Sequence, residues 1–242
     1  MQSAVYLGRD RLLVELDQLD MVYICDSSDS EAVTRLLRCG EIAPAVSAYL
    51  QRNVGPTWTC VDIDAGPGYF ASLLGKLASN GQVHAFESAP IMWALLAENI
   101  AANGLAATVV RRRAAIGRGA EYCVGPGTHV EDFAPTLTLD LHWRHGLGCA
   151  AIDLVRIGDR TLPSLAIAGA AEAMAANPLC HFLVRWDPAA IESLGHAPRF
   201  EAAQLVRALP RPAVLDTDGR LEPTDWRAIL DSPLVDIVAT MG

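Results

Sequence analysis

The sequence predicts an α/β fold, a mostly parallel sheet with helices on both faces, preceded by a small N-terminal β/α extension. Three observations carry that expectation. From Trp58 onward, short β-branched runs alternate with longer runs of helical periodicity. Repeated βα units of this length require right-handed crossovers and a parallel sheet covered on both sides. The stretch TWTCVDIDAGPGYFASLLGKL, residues 57–77, runs a strand into a glycine-bearing turn and then a helix, as the first βα turn of a ligand-binding sheet does. Finally, 242 residues, 51% of them hydrophobic and 19% charged, supply one large core and exclude a disordered chain.

Each element follows from local chemistry. Residues 4–7, 12–16 and 21–25 read as short strands, the last running into DSSDS, residues 26–30. The side-chain oxygens of that cluster accept the free N–H groups of a helix over 31–38. After Gly40 a second helix spans 44–53, with Pro44 in its first turn, where the missing N–H costs nothing. These elements make up the extension, residues 1–56, and the main domain occupies 57–242. Within it, strand 59–63 leads to helix 69–77, strand 82–87 to helix 90–103, and strand 107–111 follows. Further on come strand 151–157, an alanine-rich helix near 164–176, strand 181–186, a helical stretch at 201–208, and strands at 213–216 and 235–240. Asn-Gly and Pro signals separate them.

Charge and cysteine usage exclude whole classes. A formal net charge of −9 and a sole lysine, Lys76, argue against a nucleic-acid partner, because such binding needs clustered Lys and Arg. The run Arg111-Arg112-Arg113 reads as a solvated strand end. Six cysteines at wide spacings, with no CxxC pair, read as buried, reduced thiols. The N-terminal residues lack the pattern of a signal peptide, and no apolar run approaches membrane-spanning length. The expectation is a soluble, cytoplasmic protein.

Ligands of such a sheet bind beyond the carboxyl ends of its strands, where Gly66 and Gly68 stand. GPGYFA satisfies the GxGxxA turn of a dinucleotide fold, with Glu87 near the position of a ribose-binding acid. DIDAGPG equally matches the DxGxGxG loop of S-adenosylmethionine enzymes, with Asp64 in the first glycine position. Charge separates the two at this level. A carboxylate about 6 Å from a phosphate costs roughly 3 kcal/mol at an effective dielectric of about 20, and Asp62 and Asp64 would both impose that cost on a pyrophosphate. A sulfonium cofactor with a cationic amino group would be favoured by the same carboxylates.

VDIDAGPGYF, AFESAP and AENIAANGL resemble the FkbM-type family of S-adenosylmethionine-dependent methyltransferases. In that family a strand ending VDIGANxGYF precedes AFEPxP and a helix carrying ENIxxNGL. The likeness extends upstream through SDSEAVTRLLRCGEIAP and downstream through TLTLD and IDLVRIGDRT, so it covers most of the chain from about Ser27. The resemblance implies a class I methyltransferase fold of Rossmann-like type, with S-adenosylmethionine as cofactor. It implies that Asp62, Gly66 and Gly68, with Asp64 among them, form the methionine-side loop. Glu87, with Ser88 beside it, would accept both ribose hydroxyls, and the backbone around Arg113 and Ala114 would border the adenine. Asn99 reads as structural.

Three positions depart from the family's pattern. Asp64 replaces the first loop glycine, Ala43 replaces the Glu of a GxxEP turn, and Gly158-Asp159-Arg160-Thr161 replaces a DVEG strand end. Changes gathered around one cleft imply an active site that has been re-cut or lost.

Methyl transfer to oxygen is an in-line displacement at a sulfonium, in which the protein aligns the acceptor and takes its proton. Asp159 is the carboxylate nearest the family's acidic strand end, with a salt bridge to Arg156 or Arg160 as its simpler role. His145, in HWRH before the fourth core strand, is the other candidate base; histidines three apart also share a helix face as ordinary partners. No third ligand stands at useful spacing for a metal. His181 reads as a strand-end residue, and Trp143, Trp186 and Trp226 as core. The expected function is S-adenosylmethionine-dependent O-methylation of a hydroxyl on a sugar, glycan or natural product. Its partner is then a small-molecule or glycan acceptor, and self-association into a homo-oligomer is compatible with it. The rival readings are a non-catalytic binding or scaffold protein of the same fold and an NAD-dependent oxidoreductase.

Overall fold

The computed structural model describes residues 3–119, 122–123 and 134–241, except the side chains of Tyr122 and Cys123. Strands β1 (Ala4–Gly8), β2 (Arg11–Leu16) and β3 (Met21–Asp26) form an antiparallel sheet in that order. Helix α1 (Ser30–Cys39) starts where the Asp29 carboxylate accepts the Ala32 N–H at 3.0 Å and stops at Gly40, φ 71°, so both its ends are set by local chemistry. Helix α2 (Pro44–Asn53) leads into the segment that builds the large sheet.

There β4 (Thr59–Ile63), α3 (Tyr69–Leu77), β5 (Gln82–Phe86), α4 (Pro90–Ala102) and β6 (Val109–Arg112) follow one another. Strands β7 (Ala115–Ile116), β8 (Tyr122–Cys123) and β9 (Ala134–Leu137) make a small sheet ordered β7-β9-β8. Next come α5 (Leu139–His145), β10 (Leu154–Ile157), α6 (Pro163–Ala168), α7 (Ala171–Ala176) and β11 (His181–Trp186). The chain closes with α8 (Pro188–Ser193), α9 (Pro198–Ala208), β12 (Arg211–Leu215), β13 (Leu221–Pro223), α10 (Trp226–Leu230) and β14 (Val235–Thr240).

The large sheet is ordered β13-β12-β14-β11-β10-β4-β5-β6. Strands β11, β10, β4, β5 and β6 are parallel, and β14 runs antiparallel to both β11 and β12. The chain moves outward from β4 to β6 and then returns to β10 on the other side of β4. That reversal opens a crevice beyond the carboxyl ends of β4 and β10. Strand alternation sorts the side chains into two cores. Cys60, Leu154, Leu183 and Val238 face α2, α3, α4 and the N-terminal sheet; Val61, Val155, Val184 and Ile237 face α5 to α10.

The extension shares the first core, where Leu16, Met21 and Tyr23 pack with Leu73, Leu96 and Ile100. Two asparagines four residues apart, Asn99 on α4 and Asn103 at its C-terminal cap, complete the joint. Asn99 Oδ1 accepts the Ile24 N–H at 2.6 Å while its Nδ2 donates to the Ile24 carbonyl at 2.8 Å, and Asn103 does the same for Val22 at 2.9 and 2.8 Å. The amides satisfy the open edge of β3 as another strand would. Asn99 Nδ2 also donates to the Pro67 carbonyl at 2.8 Å, which ties the extension to the glycine turn.

Several expected elements differ in detail. The strand expected from 151 begins at Leu154, and that expected from 107 begins at Val109. The helix expected over 164–176 is divided into α6 and α7 at Gly169, which packs so closely on the Gly117 carbonyl that no Cβ fits. HWRH is helical, the end of α5, whose start is capped by Thr138 Oγ1 accepting the Leu141 N–H at 3.0 Å. Cys25, Cys60 and Cys180 are buried, but Cys39 and Cys149 are exposed, against the expectation of uniformly buried thiols; the side chain of Cys123 lies outside those described. No helix among the described residues is long and apolar enough to cross a membrane.

Candidate functional site

The crevice is a cleft of about 420 Å³. Asp64 and Glu87 stand in it at the ends of β4 and β5, and Ser88, Ala89 and the segment Ala114–Gly119 border it on the β5–β6 side. Arg160 and Thr161, from the turn after β10, face them, with Leu162, Leu165 and Leu194 forming an apolar wall. The α6 end that carries Leu162 and Leu165 is held by the buried Glu201, whose carboxylate accepts the Ser164 N–H at 2.6 Å and its hydroxyl at 2.7 Å.

The turn has the backbone that its glycines foretell. Gly66 and Gly68 have φ of 58° and 94°, and a Cβ on Gly68 would lie 2.6 Å from Leu96 Cδ1. Asp64 also sits in the left-handed region, at φ 58°. The aspartate therefore holds the conformation a glycine would take, which Asp tolerates better than most residues because its short side chain bonds locally.

The Asp64 carboxylate is gripped by Arg160. Its Oδ2 accepts the Arg160 backbone N–H at 2.9 Å and its Oδ1 accepts Arg160 Nη2 at 2.8 Å. The same Nη2 donates to Glu87 Oε2 at 2.9 Å. Glu87 is further held by the Gly66 N–H at 2.8 Å and the Ala89 N–H at 2.7 Å. The two side-chain carboxylates are 10% and 1% exposed, and Arg160 is 45% exposed. Burial raises the Asp64 pKa above the usual carboxylate range while Arg160 pulls it back. For Arg160, burial opposes the charge, but Asp64 and Glu87 outweigh it and hold the guanidinium pKa above its ordinary value.

Two departures from the resembled pattern form one unit here. A Cβ on Gly158 would lie 2.6 Å from the Asp64 carbonyl oxygen and 2.7 Å from its Oδ2. Aspartate in a glycine position, glycine in an aspartate position and arginine in a glutamate position thus fit together. Ala43, the third departure, is buried in the first core and does not line the cleft.

Asp62 is placed elsewhere than expected. It is fully buried on the first face of the sheet, opposite Arg156 in the β4–β10 register, and paired with Arg156 Nη1 at 2.7 Å. The guanidinium lies over the Phe70 ring, 4.1 Å from its centroid. Burial raises the Asp62 pKa against the pull of Arg156. The charge argument for a sulfonium weakens accordingly: Asp62 is paired with Arg156, and Asp64 shares Arg160 with Glu87, so the repulsion expected toward a pyrophosphate is reduced.

Of the other expected residues, Ser88 and Ala114 line the cleft and Arg113 does not. Asp159 is exposed on the turn beside Arg160, and His145 is exposed at the end of α5; neither lines the cleft. The inward histidine of HWRH is His142, buried with its Nε2 3.0 Å from His84 Nδ1. Burial pushes both down to about 4, so this is a neutral core pair. His181 Nδ1 meets the Tyr49 hydroxyl at 2.6 Å. Trp186 and Trp226 stack edge to face in the second core, with centroids 6.3 Å apart, and Trp143 packs on the same core. Arg160 escaped sequence reasoning as a site residue. The available signal was the pairing of an acid in a glycine position with a base in an acid position.

Solved structures share this architecture. A SAM-dependent O-methyltransferase from Thermotoga maritima is 17% identical, over 90% of this chain and 73% of that one, with a TM-score of 0.50. TYW2 of P. horikoshii, in complex with MeSAdo, is 14% identical over 98% and 74%, TM-score 0.51. A Klebsiella pneumoniae protein described as an O-methyltransferase is 13% identical over 94% and 90%, TM-score 0.52. The chain has the class I methyltransferase fold. No protein-family model matches it, and no curated protein matches it.

Proposed function

We propose that the chain is an S-adenosylmethionine-dependent methyltransferase of the FkbM type, acting on a hydroxyl of a sugar, glycan or natural product. Glu87 carries this reading. It ends the second core strand, lines the cleft, and is oriented by two backbone N–H groups across a turn whose glycines have positive φ. A carboxylate so held suits a vicinal ribose diol. Asp64 beside it suits an ammonium, and Ser88 and the backbone at Ala114 border the space left for adenine. When bound, S-adenosylmethionine supplies a methyl group on a sulfonium.

The chain's own contribution is alignment and exclusion of water. Leu162, Leu165 and Leu194 give the cleft an apolar wall, which helps to keep water from the reacting groups. Asp159 and His145 lie outside the cleft lining, so the reading assigns neither as a base. The net charge of −9 favours an acceptor other than nucleic acid.

One observation favours a second reading, a binding or scaffold protein without turnover. Arg160 Nη2 stands between the two carboxylates that the cofactor needs, as it would in a cleft that fills itself. Titration calorimetry with S-adenosylhomocysteine and, separately, NAD tests both. Binding of S-adenosylhomocysteine in preference to NAD is expected. Binding of neither would favour the scaffold, and preference for NAD would overturn the assignment.

A further inference from the structure

We infer that Arg160 selects the ligand of this cleft, admitting an adenosine compound that carries an amino-acid zwitterion in preference to one that carries an amine alone; the inference rests on the cofactor reading above. The reason is charge pairing. In the structure one guanidinium nitrogen serves two carboxylates, Asp64 Oδ1 at 2.8 Å and Glu87 Oε2 at 2.9 Å. A ligand that sets an ammonium on Asp64 and a ribose diol on Glu87 takes both partners from that nitrogen. The displaced guanidinium stays charged, as arginine does in proteins generally, and the cost is the loss of two charge-assisted hydrogen bonds that solvent replaces only in part on its exposed side.

A ligand carboxylate removes that cost. In an amino acid the carboxylate and the ammonium stand on the same carbon, so an ammonium on Asp64 brings the carboxylate to the neighbourhood of Asp64. Arg160 is rooted there, because its backbone N–H donates to Asp64 Oδ2 at 2.9 Å. Its side chain is 45% exposed, so a change of rotamer needs no rearrangement of the core. After the exchange the ammonium is paired with Asp64 and the ligand carboxylate with Arg160, while Glu87 exchanges its ion pair for the hydrogen bonds of the diol and keeps those of the Gly66 and Ala89 N–H groups. An amine without a carboxylate, such as decarboxylated S-adenosylhomocysteine, makes the first and third contacts and leaves Arg160 without a partner. Arg160 is thus a specificity-determining residue, and its ion pairs to Asp64 and Glu87 give way to contacts with the ligand it accepts.

The test is calorimetric titration of the full chain and of Arg160→Met and Arg160→Lys with S-adenosylhomocysteine and with its decarboxylated amine, each protein first shown to unfold cooperatively. The wild-type chain is expected to prefer S-adenosylhomocysteine by at least about tenfold, the worth of a charge-assisted hydrogen bond. In Arg160→Met the preference should fall to within about threefold, and Arg160→Lys, which keeps the charge, should retain part of it. An undiminished preference in Arg160→Met, or none in the wild type, overturns the inference and leaves the cofactor reading standing. Binding of both compounds to Arg160→Met alone would make Arg160 a plug and overturn its role as selector. Binding of neither compound to any of the three proteins would remove the cofactor reading together with the inference.

Discussion

Gly158 lies flush against Asp64, so close that a Cβ on it would stand 2.6 Å from the Asp64 carbonyl oxygen and 2.7 Å from its carboxylate. The aspartate in the turn is possible because the strand facing it ends in a glycine. Gly158→Ala should therefore cost roughly 1–3 kcal/mol of stability, the usual range for forcing an extra methyl into a packed site. Adding Asp64→Gly should recover only part of it, because the carbonyl clash remains. Denaturant unfolding of the single and the double variant beside the unsubstituted chain checks both statements.

Asp64→Gly by itself tests whether the re-cut turn binds a ligand. Glycine adopts φ 58° without strain, so the fold should survive. Affinity for S-adenosylhomocysteine should fall by about 1.5–3 kcal/mol, the value of a hydrogen bond to a charged group. A clear gain in affinity would mean that the carboxylate obstructs the cleft, and the scaffold reading would replace the enzyme.

Glu87→Ala removes the acceptor of the Gly66 and Ala89 N–H groups and one partner of Arg160. Affinity for S-adenosylhomocysteine should drop at least about tenfold. Normal binding by a folded Glu87→Ala would reduce Glu87 to a brace for the turn.

Arg156→Met leaves Asp62 buried without its counter-ion, and Asp62 Oδ2 already lacks a partner among the described groups. Breaking a buried pair on one side typically costs about 3–5 kcal/mol. The double change Asp62→Asn with Arg156→Met removes both charges and should restore much of that loss in equilibrium unfolding.

The His84–His142 pair should make the fold sensitive to acid. Both are held near 4 by burial, with Arg112 adding repulsion, against about 6.5 in an unfolded chain. Between those values the unfolded chain binds more protons. Stability from this pair is therefore complete above about pH 6.5 and is lost as pH falls toward 4. Asp62 and Asp64, whose values are raised by burial, act in the opposite sense at the acid end. Unfolding free energy followed from pH 7 to 4 should decline, and His84→Phe with His142→Leu should flatten that decline.

Periodicity and end signals were enough to place most elements. The helix from Tyr69 to Leu77 and the strands Thr59–Ile63, His181–Trp186 and Val235–Thr240 lie at the bounds read from the sequence. Helix α5 was missed because its Thr138 cap stands beside a strand-like TLTL run, and short apolar runs of that length do not distinguish helix from strand. The close approach of Gly169 to the Gly117 carbonyl, where the helical run divides, was invisible because the two positions are distant in sequence.

By itself the sequence determined the alternating βα order, the glycine turn and the acid at the end of the second core strand, because each follows from local periodicity and from the few residues that tolerate positive φ. Tertiary structure alone decided which charges meet. Asp62 and Asp64 are two residues apart on the strand and its turn, and read together they suggest one acidic mouth. The alternation of β4 sends Asp62 to a buried partner, Arg156, and the left-handed turn sends Asp64 to Arg160, 96 positions away. Electrostatic partnership depends on distance in space, which falls steeply over a few ångströms and has no counterpart in spacing along the chain.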